Sequence, residues 1–461
     1  MFDKLTISFD EYIKKFNTLA GKYIPSKNNW TPPDNAIYGP KDLFRIPLKK
    51  AKELQFKAIK YQLKNHFENN KTYHDFCVEK KVTPDKIKSY DDLEKIPLIP
   101  GEFYKDYPIG RDFAHWLANI YTGKIPEIKI PGKNPHYDDV INAFNKTGLV
   151  VSYSSGTSGR HTFIPRDRKT FNVSEYSIAK LAITMTYPGW YYNSNGYLLM
   201  PNPFKTNVYA GKVCTIYYDV IKNVKAAIDR EINTDLIKLS MTGGSGFKAK
   251  IIKKAFARMT KKITNSIIKW LEKNHKEKNR IVFAGAPFFL YAVTNKLKEQ
   301  GKTFDFSDRI CILTGGGWKV HEDKRMPVED FRKQMQEFLG IEPEYCLDGY
   351  GMVEGNGWMI HCPEGHYFHI PNSYFHPIVL DDEFKPVGYG EYGQFAFLDG
   401  GAFSYPGFII SGDRVRMLEH CPVCDRPGPV LEPEITRVSG KEMRGCAEEL
   451  RRMISADASG D

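Results

Sequence analysis

An α/β fold is predicted, with β-sheets flanked by helices in a large body, a β-rich subregion late in that body, and a short C-terminal segment. Three observations predict it. Strand-like apolar runs alternate with helical stretches through the middle of the chain, the pattern of sheets covered by helices. After Tyr345 the texture changes to short strands separated by Gly and Pro turns. The 461 residues are 41% hydrophobic and 13% aromatic, ample for a substantial core. No clean linker interrupts the chain. Residues 1–412 are therefore assigned to one body and residues 413–461 to the C-terminal segment.

The elements follow in order. Residues up to about 120 read as helical pieces, among them 51–70 and 89–94, broken by Pro-containing turns such as Thr31-Pro32-Pro33. Strands are placed at 148–153, 196–200, 281–284 and 310–313. Helices lie between them, notably at 249–276 and 288–299. The β-rich subregion, about 345–412, contains the runs 393–398 and 404–411. No internal repeat or low-complexity tract is present.

Composition excludes several classes. A disordered chain, a collagen and a small disulfide scaffold are incompatible with this apolar content. The longest apolar stretch, 281–293, is too short and interrupted to span a bilayer. The first residues, MFDKLTISFDEY, have no apolar signal-peptide core. Eight cysteines without a secretion signal suggest reduced thiols or metal ligands, and a cytoplasmic location is expected. Charge is uneven. From Ile341 onward there are 9 Lys and Arg against 20 Asp and Glu, a net of −11, whereas the first 340 residues carry +22. A basic body attracts nucleic acid or an anionic metabolite such as ATP; its basic residues are scattered along helix-like stretches, as on solvated helix faces.

The most informative stretch is Ser152-Tyr153-Ser154-Ser155-Gly156-Thr157-Ser158-Gly159-Arg160. A strand ends in hydroxyls and glycines, which turn tightly and present N–H and O–H donors to an anion. The pattern GxxxxGK[ST] is absent, and the next residues, His161 to Pro165, read as a second strand. A strand–loop–strand phosphate clamp fits better than a P-loop, although a Ser/Gly turn is equally an ordinary hairpin. Gly243-Gly244-Ser245-Gly246 is a weaker candidate of the same kind.

SSGTSG resembles the phosphate-binding signature of the acyl-adenylate-forming enzymes. Three further matches follow in the expected order: Leu313-Thr314-Gly315-Gly316-Gly317-Trp318-Lys319 resembles the glycine turn that packs on adenine, Asp348-Gly349-Tyr350-Gly351-Met352-Val353-Glu354 the aromatic-Gly-x-x-Glu motif, and Ile410-Ser411-Gly412-Asp413-Arg414 the Gly-Asp motif. The GGGWK variant, Arg166-Asp167-Arg168 after the loop, and Arg444-Gly445-Cys446-Ala447 near the end are similar to the acyl-protein synthetase (LuxE-type) family. Phenylacetate–CoA ligases are the related branch.

The resemblance implies an adenylate-forming body and a two-step reaction: a fatty carboxylate attacks the α-phosphorus of ATP, and a thiol then takes the acyl group. It implies that Ser154 to Gly159 (Ser154, Ser155, Gly156, Thr157, Ser158, Gly159) hold the β- and γ-phosphates and that Glu354 holds Mg²⁺. It places Gly315, Gly316, Gly317, Tyr350 and Gly351 around adenine, and Asp413 on the ribose hydroxyls. Cys446 is the implied acyl acceptor. Arg437 is grouped with the nucleotide site and, with Arg444 and Lys441, would favour the Cys446 thiolate. A reductase-type protein partner is implied for the acylated chain, and neither nucleic acid nor a transmembrane segment is expected.

Cysteines supply a second feature. Cys421-Pro422-Val423-Cys424 and the C-x6-H pair Cys362 and His369 lie in the same β-rich region. Three thiolates and one imidazole are a structural zinc set without an open position for catalysis. His361 and His366 compete with His369 for the fourth place, and ordinary cysteines are the alternative. Cys77, Cys214, Cys311 and Cys346 read as small core residues. Most adenylate-forming enzymes continue into a mobile domain that brings a lysine to the adenylate. Here 48 residues follow Asp413, and Lys441 is the candidate substitute. The second reading is an acyl- or aryl-CoA ligase of the phenylacetate–CoA ligase type. A third, from another class, is a non-catalytic nucleotide-binding subunit.

Overall fold

The computed structural model describes residues 7–156, 160–189, 192–234, 247–318 and 324–437, apart from the side chains of 247–253 and 256. The Gly243–Gly246 loop, Lys441, Cys446 and the rest of 438–461 lie outside the described residues.

The helical N-terminal part holds helices Phe9–Leu19, Pro32–Tyr38, Leu48–Asn69, Lys71–Glu79, Asp112–Ile120 and Tyr137–Lys146. In Leu48–Asn69 the buried residues are Ala51, Gln55, Ala58, Ile59, Gln62, Leu63 and His66, a stripe with three- and four-residue spacing. Its polar members tie the helix to the sheet. Gln55 Nε2 donates to the Asn372 and Phe375 carbonyls at 2.9 and 2.8 Å, and Gln62 Nε2 donates to the Gly400 carbonyl at 3.1 Å. Thr31-Pro32-Pro33, expected as a turn, instead opens helix Pro32–Tyr38. Proline suits a first helical turn, where its missing N–H is unneeded. Asp34 accepts from the Thr31 N–H and hydroxyl at 2.8 and 2.6 Å.

The strands are β1 (Ile99–Pro100), β2 (Val150–Tyr153), β3 (Phe163–Arg166), β4 (Asn195–Pro201), β5 (Asn223–Ile228), β6 (Ile281–Gly285), β7 (Ile310–Gly315), β8 (Cys346–Tyr350), β9 (Met359–His361), β10 (Phe368–His369), β11 (Phe375–Leu380), β12 (Tyr392–Asp399), β13 (Phe408–Leu418), β14 (Val430–Leu431) and β15 (Thr436–Arg437). One large sheet runs β11-β12-β13-β14-β10-β9-β8-β7-β6-β4-β5, with β1 and β15 also on β13, and β2 pairs with β3 in a separate hairpin. From β5 to β8 the neighbours are parallel; from β8 to β11 they are antiparallel.

Parallel strands covered on both faces read as continuous apolar runs. Ile281-Val282-Phe283-Ala284 and Ile310-Cys311-Ile312-Leu313 divide their side chains between two cores. Val282, Ala284, Cys311 and Leu313 join the larger cluster. Ile281, Phe283, Ile310 and Ile312 join a smaller one with Ile267 and Leu271 of helix Phe247–Lys276, Val293 and Leu297 of Pro287–Glu299, and Met335 and Leu339 of Val328–Leu339. The larger cluster contains helix Arg168–Thr186, which follows β3 directly; Asp167 caps it by accepting from the Thr170 N–H at 2.6 Å.

Two boundaries differ from expectation. The run expected from Ser404 begins as a strand only at Phe408, because the chain bends at Ser404 and Tyr405 and Pro406 has no N–H for a ladder. β13 also passes unbroken through the 412/413 division, and β15 returns to pair on it, with Arg437 opposite Asp413. Among the described residues no helix is long and apolar enough to cross a membrane.

Candidate functional site

Parallel strands β6, β7 and β8 end at Gly285, Gly315 and Tyr350, and the crevice beyond such carboxyl ends is where α/β sheets take ligands. Beside it stands the β2–β3 hairpin, in register from Val150 opposite Arg166 to Tyr153 opposite Phe163. The neck of its loop is closed by the Ser154 N–H donating to the Thr162 carbonyl at 3.0 Å and the Thr162 N–H donating to Ser154 Oγ at 2.9 Å. His161 Nδ1 lies 2.8 Å from the Ser154 carbonyl oxygen. Gly156 has φ +71°, and a Cβ there would sit 2.8 Å from His161 Nδ1, so glycine is required on both counts. Of the expected phosphate-loop residues, Ser154, Ser155 and Gly156 are described; Thr157, Ser158 and Gly159 lie outside the described residues.

At the end of β7 the chain turns through Gly316 and Gly317, at φ +79° and +66°, with both glycines exposed. A Cβ on Gly315 would be 3.2 Å from the Gly349 carbonyl, a tight contact with the neighbouring strand β8. Trp318 then drops into the smaller core against Tyr291 and Phe331.

Tyr350, Asp413 and Arg437 come together. The Tyr350 hydroxyl donates to Asp413 Oδ2 at 2.6 Å, and Arg437 Nε pairs with Asp413 Oδ1 at 3.1 Å. Burial first, then the Asp413 carboxylate, holds the Tyr350 phenol well above its usual range, so the hydroxyl stays a donor. Gly351 follows with no space for a Cβ, which would meet the Trp358 ring at 2.9 Å.

Glu354 is not a surface carboxylate; it is 9% exposed. It lies in the irregular segment between β8 and β9, which is held from outside at successive backbone groups. The Val353 carbonyl accepts from Arg166, the Glu354 carbonyl from the Tyr405 hydroxyl at 2.8 Å, and the Gly355 carbonyl from the Tyr209 hydroxyl at 3.0 Å. The Asn356 N–H and side-chain amide donate to Asp399 at 2.6 and 2.8 Å. Arg166 itself is fully buried and also donates to Asn356 Oδ1 at 3.2 Å, Ser152 Oγ at 3.1 Å and the Tyr405 hydroxyl at 3.2 Å. Its guanidinium lies over the Tyr209 and Tyr405 rings at 4.6 and 5.1 Å. Arg166 was visible in the sequence only as part of an Arg-Asp-Arg run. Asn356, Asp399, Tyr209 and Tyr405 carried no local signal.

The expected metal residues also converge. The ligand atoms of Cys362, His369, Cys421 and Cys424 all lie within 4.8 Å of one another. Cys362 Sγ is 3.9 Å from Cys421 Sγ, and Cys424 Sγ is 3.3 Å from His369 Nε2. A tetrahedral ion with Zn–S bonds of about 2.3 Å separates two sulfurs by about 3.8 Å, so the spacing fits zinc. Between the competing histidines, position decides. His369 points into the cluster from β10, whereas His361 Nδ1 lies 3.2 Å from an Arg332 nitrogen and His366 packs edge-on to His361. Cys77, Cys214, Cys311 and Cys346 are buried core residues, and burial pushes the Cys77 and Cys346 thiols up to about 12.

Comparison with known proteins adds the following. A family model described as acyl-protein synthetase, LuxE, matches residues 223–455, just over half of the chain. A curated relative from Vibrio harveyi, long-chain-fatty-acid–luciferin-component ligase, is 25% identical over 414 residues, covering 90% of this chain and 91% of that protein. A protein of the same name from Aliivibrio fischeri is 24% identical over 407 residues, covering 87% and 89%. Among solved structures, 2-hydroxyisobutyryl-CoA ligase with 2-HIB-AMP and CoA is similar with a TM-score of 0.58 at 15% identity, covering 91% of this chain and 74% of that one. At that identity the likeness is one of fold. The expected α/β adenylate-forming body is therefore the observed one.

Proposed function

Because the chain belongs to the acyl-protein synthetase (LuxE) family, we propose that it activates a long-chain fatty acid with ATP and passes the acyl group to a cysteine thiol. The protein is an adenylate-forming ligase that uses ATP. In the first step a carboxylate oxygen bonds to the α-phosphorus, the bond from that phosphorus to the bridging oxygen breaks, and pyrophosphate leaves. In the second, a thiolate attacks the acyl carbonyl, AMP leaves with the bonding electrons, and a thioester remains. The first step depends chiefly on positioning and charge neutralisation.

The observation that carries this reading is the meeting of Tyr350, Asp413 and Arg437 at the end of β8, which pairs with the β7 end that opens the glycine turn, while Arg166 ties the β2–β3 hairpin to the segment that follows β8. In this reading Ser154 to Gly159 hold the β- and γ-phosphates, Gly315 to Gly317 with Tyr350 and Gly351 flank adenine, and Asp413 accepts from the ribose hydroxyls. Arg437 orients Asp413. Lys441 is the candidate lysine for the adenylate, and Cys446 takes the acyl group.

Glu354 offers a hard, buried oxygen donor suited to Mg²⁺, which when bound neutralises the phosphate charge that would repel the incoming carboxylate. Cys362, His369, Cys421 and Cys424 suit a structural zinc, closed to substrate because all four positions are protein ligands. A fatty-acyl reductase is the proposed partner for the acylated protein, and the dependence on ATP supports a cytoplasmic location.

Acid-dependent ATP–pyrophosphate exchange, measured over straight-chain acids of increasing length, tests the first step; no exchange with any acid would leave only a nucleotide-binding protein. For the second step, labelled acid should stay on the denatured chain and be lost in Cys446→Ser. An acyl- or aryl-CoA ligase is the second reading, favoured by the fold likeness to 2-hydroxyisobutyryl-CoA ligase. Obligatory CoA, with normal turnover by Cys446→Ser, would select it.

A further inference from the structure

Arg166 is the largest fully buried side chain of the described residues. Taking a guanidinium out of water is costly, and an apolar filler of similar volume is often as stable or more so. A buried arginine therefore calls for a reason beyond packing. Its bonds supply one. At one end it donates to Ser152 Oγ at 3.1 Å, within β2, two residues before Ser154. At the other it donates to the Val353 carbonyl, immediately before Glu354. Between them, the Tyr405 hydroxyl accepts from Arg166 at 3.2 Å and donates to the Glu354 carbonyl at 2.8 Å. Tyr209, under the guanidinium plane, donates to the Gly355 carbonyl at 3.0 Å. Asn356 accepts from Arg166 and donates its main-chain N–H to Asp399 at 2.6 Å.

Thus the carbonyls of Val353, Glu354 and Gly355 and the N–H of Asn356 are all taken by side chains from elsewhere in the fold. The segment has no ladder or helix of its own to satisfy them, so its conformation is set by this clamp. The same guanidinium anchors the strand that enters the phosphate loop.

We propose that Arg166 is a positioning residue for adenylation, holding the main chain of Glu354 against the strand that carries the phosphate loop, with Tyr405 and Tyr209 completing the clamp. It fixes the reach from the Glu354 carboxylate to the phosphates and so sets how tightly the Mg²⁺–ATP pair is held. The proposal rests on the reading of Glu354 as the Mg²⁺ ligand.

The test uses the full chain in three variants, Arg166→Lys, Tyr405→Phe and Glu354→Gln, measuring hexadecanoate-dependent ATP–pyrophosphate exchange as Mg²⁺ is varied at saturating ATP. Thermal midpoints are taken alongside. Tyr405→Phe keeps the ring and removes only the hydroxyl, so it decides the matter should Arg166→Lys fail to fold. Both clamp variants should raise the Mg²⁺ concentration for half-maximal exchange about fivefold or more, the size of one lost hydrogen bond. The KM for hexadecanoate should stay within twofold. Lower activity with unchanged Mg²⁺ half-saturation would mean a merely structural arginine and overturn the proposal. Glu354→Gln separates the two readings. If it shifts the Mg²⁺ dependence and the clamp variants do not, only the clamp fails. If it leaves the dependence unchanged, Glu354 is not the metal ligand and both readings fall.

Discussion

Lys180 lies on helix Arg168–Thr186, fully buried, with its Nζ over the Phe16 ring at 5.8 Å and no hydrogen-bond partner among the described residues. Burial lowers its pKa from 10.5 to about 7, opposed by the attraction of Asp42. The folded value lies below the unfolded one. Between about pH 7 and pH 10.5 the unfolded chain therefore holds a proton that the folded chain has released, and stability rises with pH across that window. One proton contributes about 1.4 kcal/mol per pH unit, or about 5 kcal/mol over the whole span. Lys180→Met fills a similar volume and removes the titration.

The variant should therefore be more stable than the wild type at pH 7 by at least about 2 kcal/mol, and the gap should close by about 2 to 3 kcal/mol between pH 7 and pH 9. Guanidinium unfolding followed by circular dichroism at pH 7, 8 and 9 measures both quantities, and the buried tyrosines and thiols cancel in the comparison. A variant less stable than the wild type at pH 7, or a gap that does not change with pH, would refute the argument. Either result would mean that the amine is charged and solvated in the folded protein.

Three further outcomes are expected. Tyr350→Phe removes the 2.6 Å bond to Asp413 and should raise the KM for ATP about fivefold with little change in thermal midpoint, read by exchange kinetics. Cys421→Ser should abolish zinc content by elemental analysis and destabilise the fold, and chelator treatment of the wild type should lower its thermal midpoint similarly; wild-type protein without zinc would remove the site. His66 and His376 are buried neutral, with pKa values lowered by burial to about 3 and about 4 from 6.5. Their stabilising contribution is present above pH 6.5 and is lost as pH falls through the folded values. Together they should add a slope of about 2.7 kcal/mol per pH unit from about pH 6 to 4.5, and His66→Gln should cut that slope by about half in urea titrations.

Of the parallel strands, β4, β6 and β7 were legible in sequence because burial makes them apolar runs, whereas β5, whose residues are exposed or half-buried, was not. Helix Arg168–Thr186 was not, for a related reason: it is enclosed nearly all round, so Ser174, Glu175, Ser177, Lys180 and Thr184 interrupt any apolar stripe. Cys421 and Cys424 announce themselves by local spacing, and the same holds for Cys362 with a histidine. Which histidine completes the set depends on strand register, with His369 opposite Val430 in β14, and spacing alone does not encode that. The glycines at 156, 316 and 317 were readable because left-handed backbone demands them. The Arg166 clamp joins residues 187 to 239 positions apart, through Val353, Asn356 and Tyr405, so nothing near Arg166 marks its partners.

The bond between Tyr350 and Asp413 spans the two halves of the sheet, since Tyr350 ends the last parallel strand, β8, and Asp413 sits in antiparallel β13. Its length therefore depends on what holds the intervening strands. Tyr350 pairs with Met359 of β9 and packs on Phe368 of β10, while β14 joins β10 to β13 through only two residues on each side. That short ladder is the weak point. The proposed zinc cluster lies across it, with Cys362 and His369 from the β9–β10 side and Cys421 and Cys424 from the β13–β14 connection. A four-coordinate ion there would brace the strands beneath the proposed ribose end of the site without touching substrate. The Arg166 clamp, through Ser152 and Val353, would brace the proposed phosphate end. Loss of either brace should weaken ATP binding, but through different groups: the zinc brace through Asp413, the clamp through Glu354. Only the clamp should then change the response to Mg²⁺.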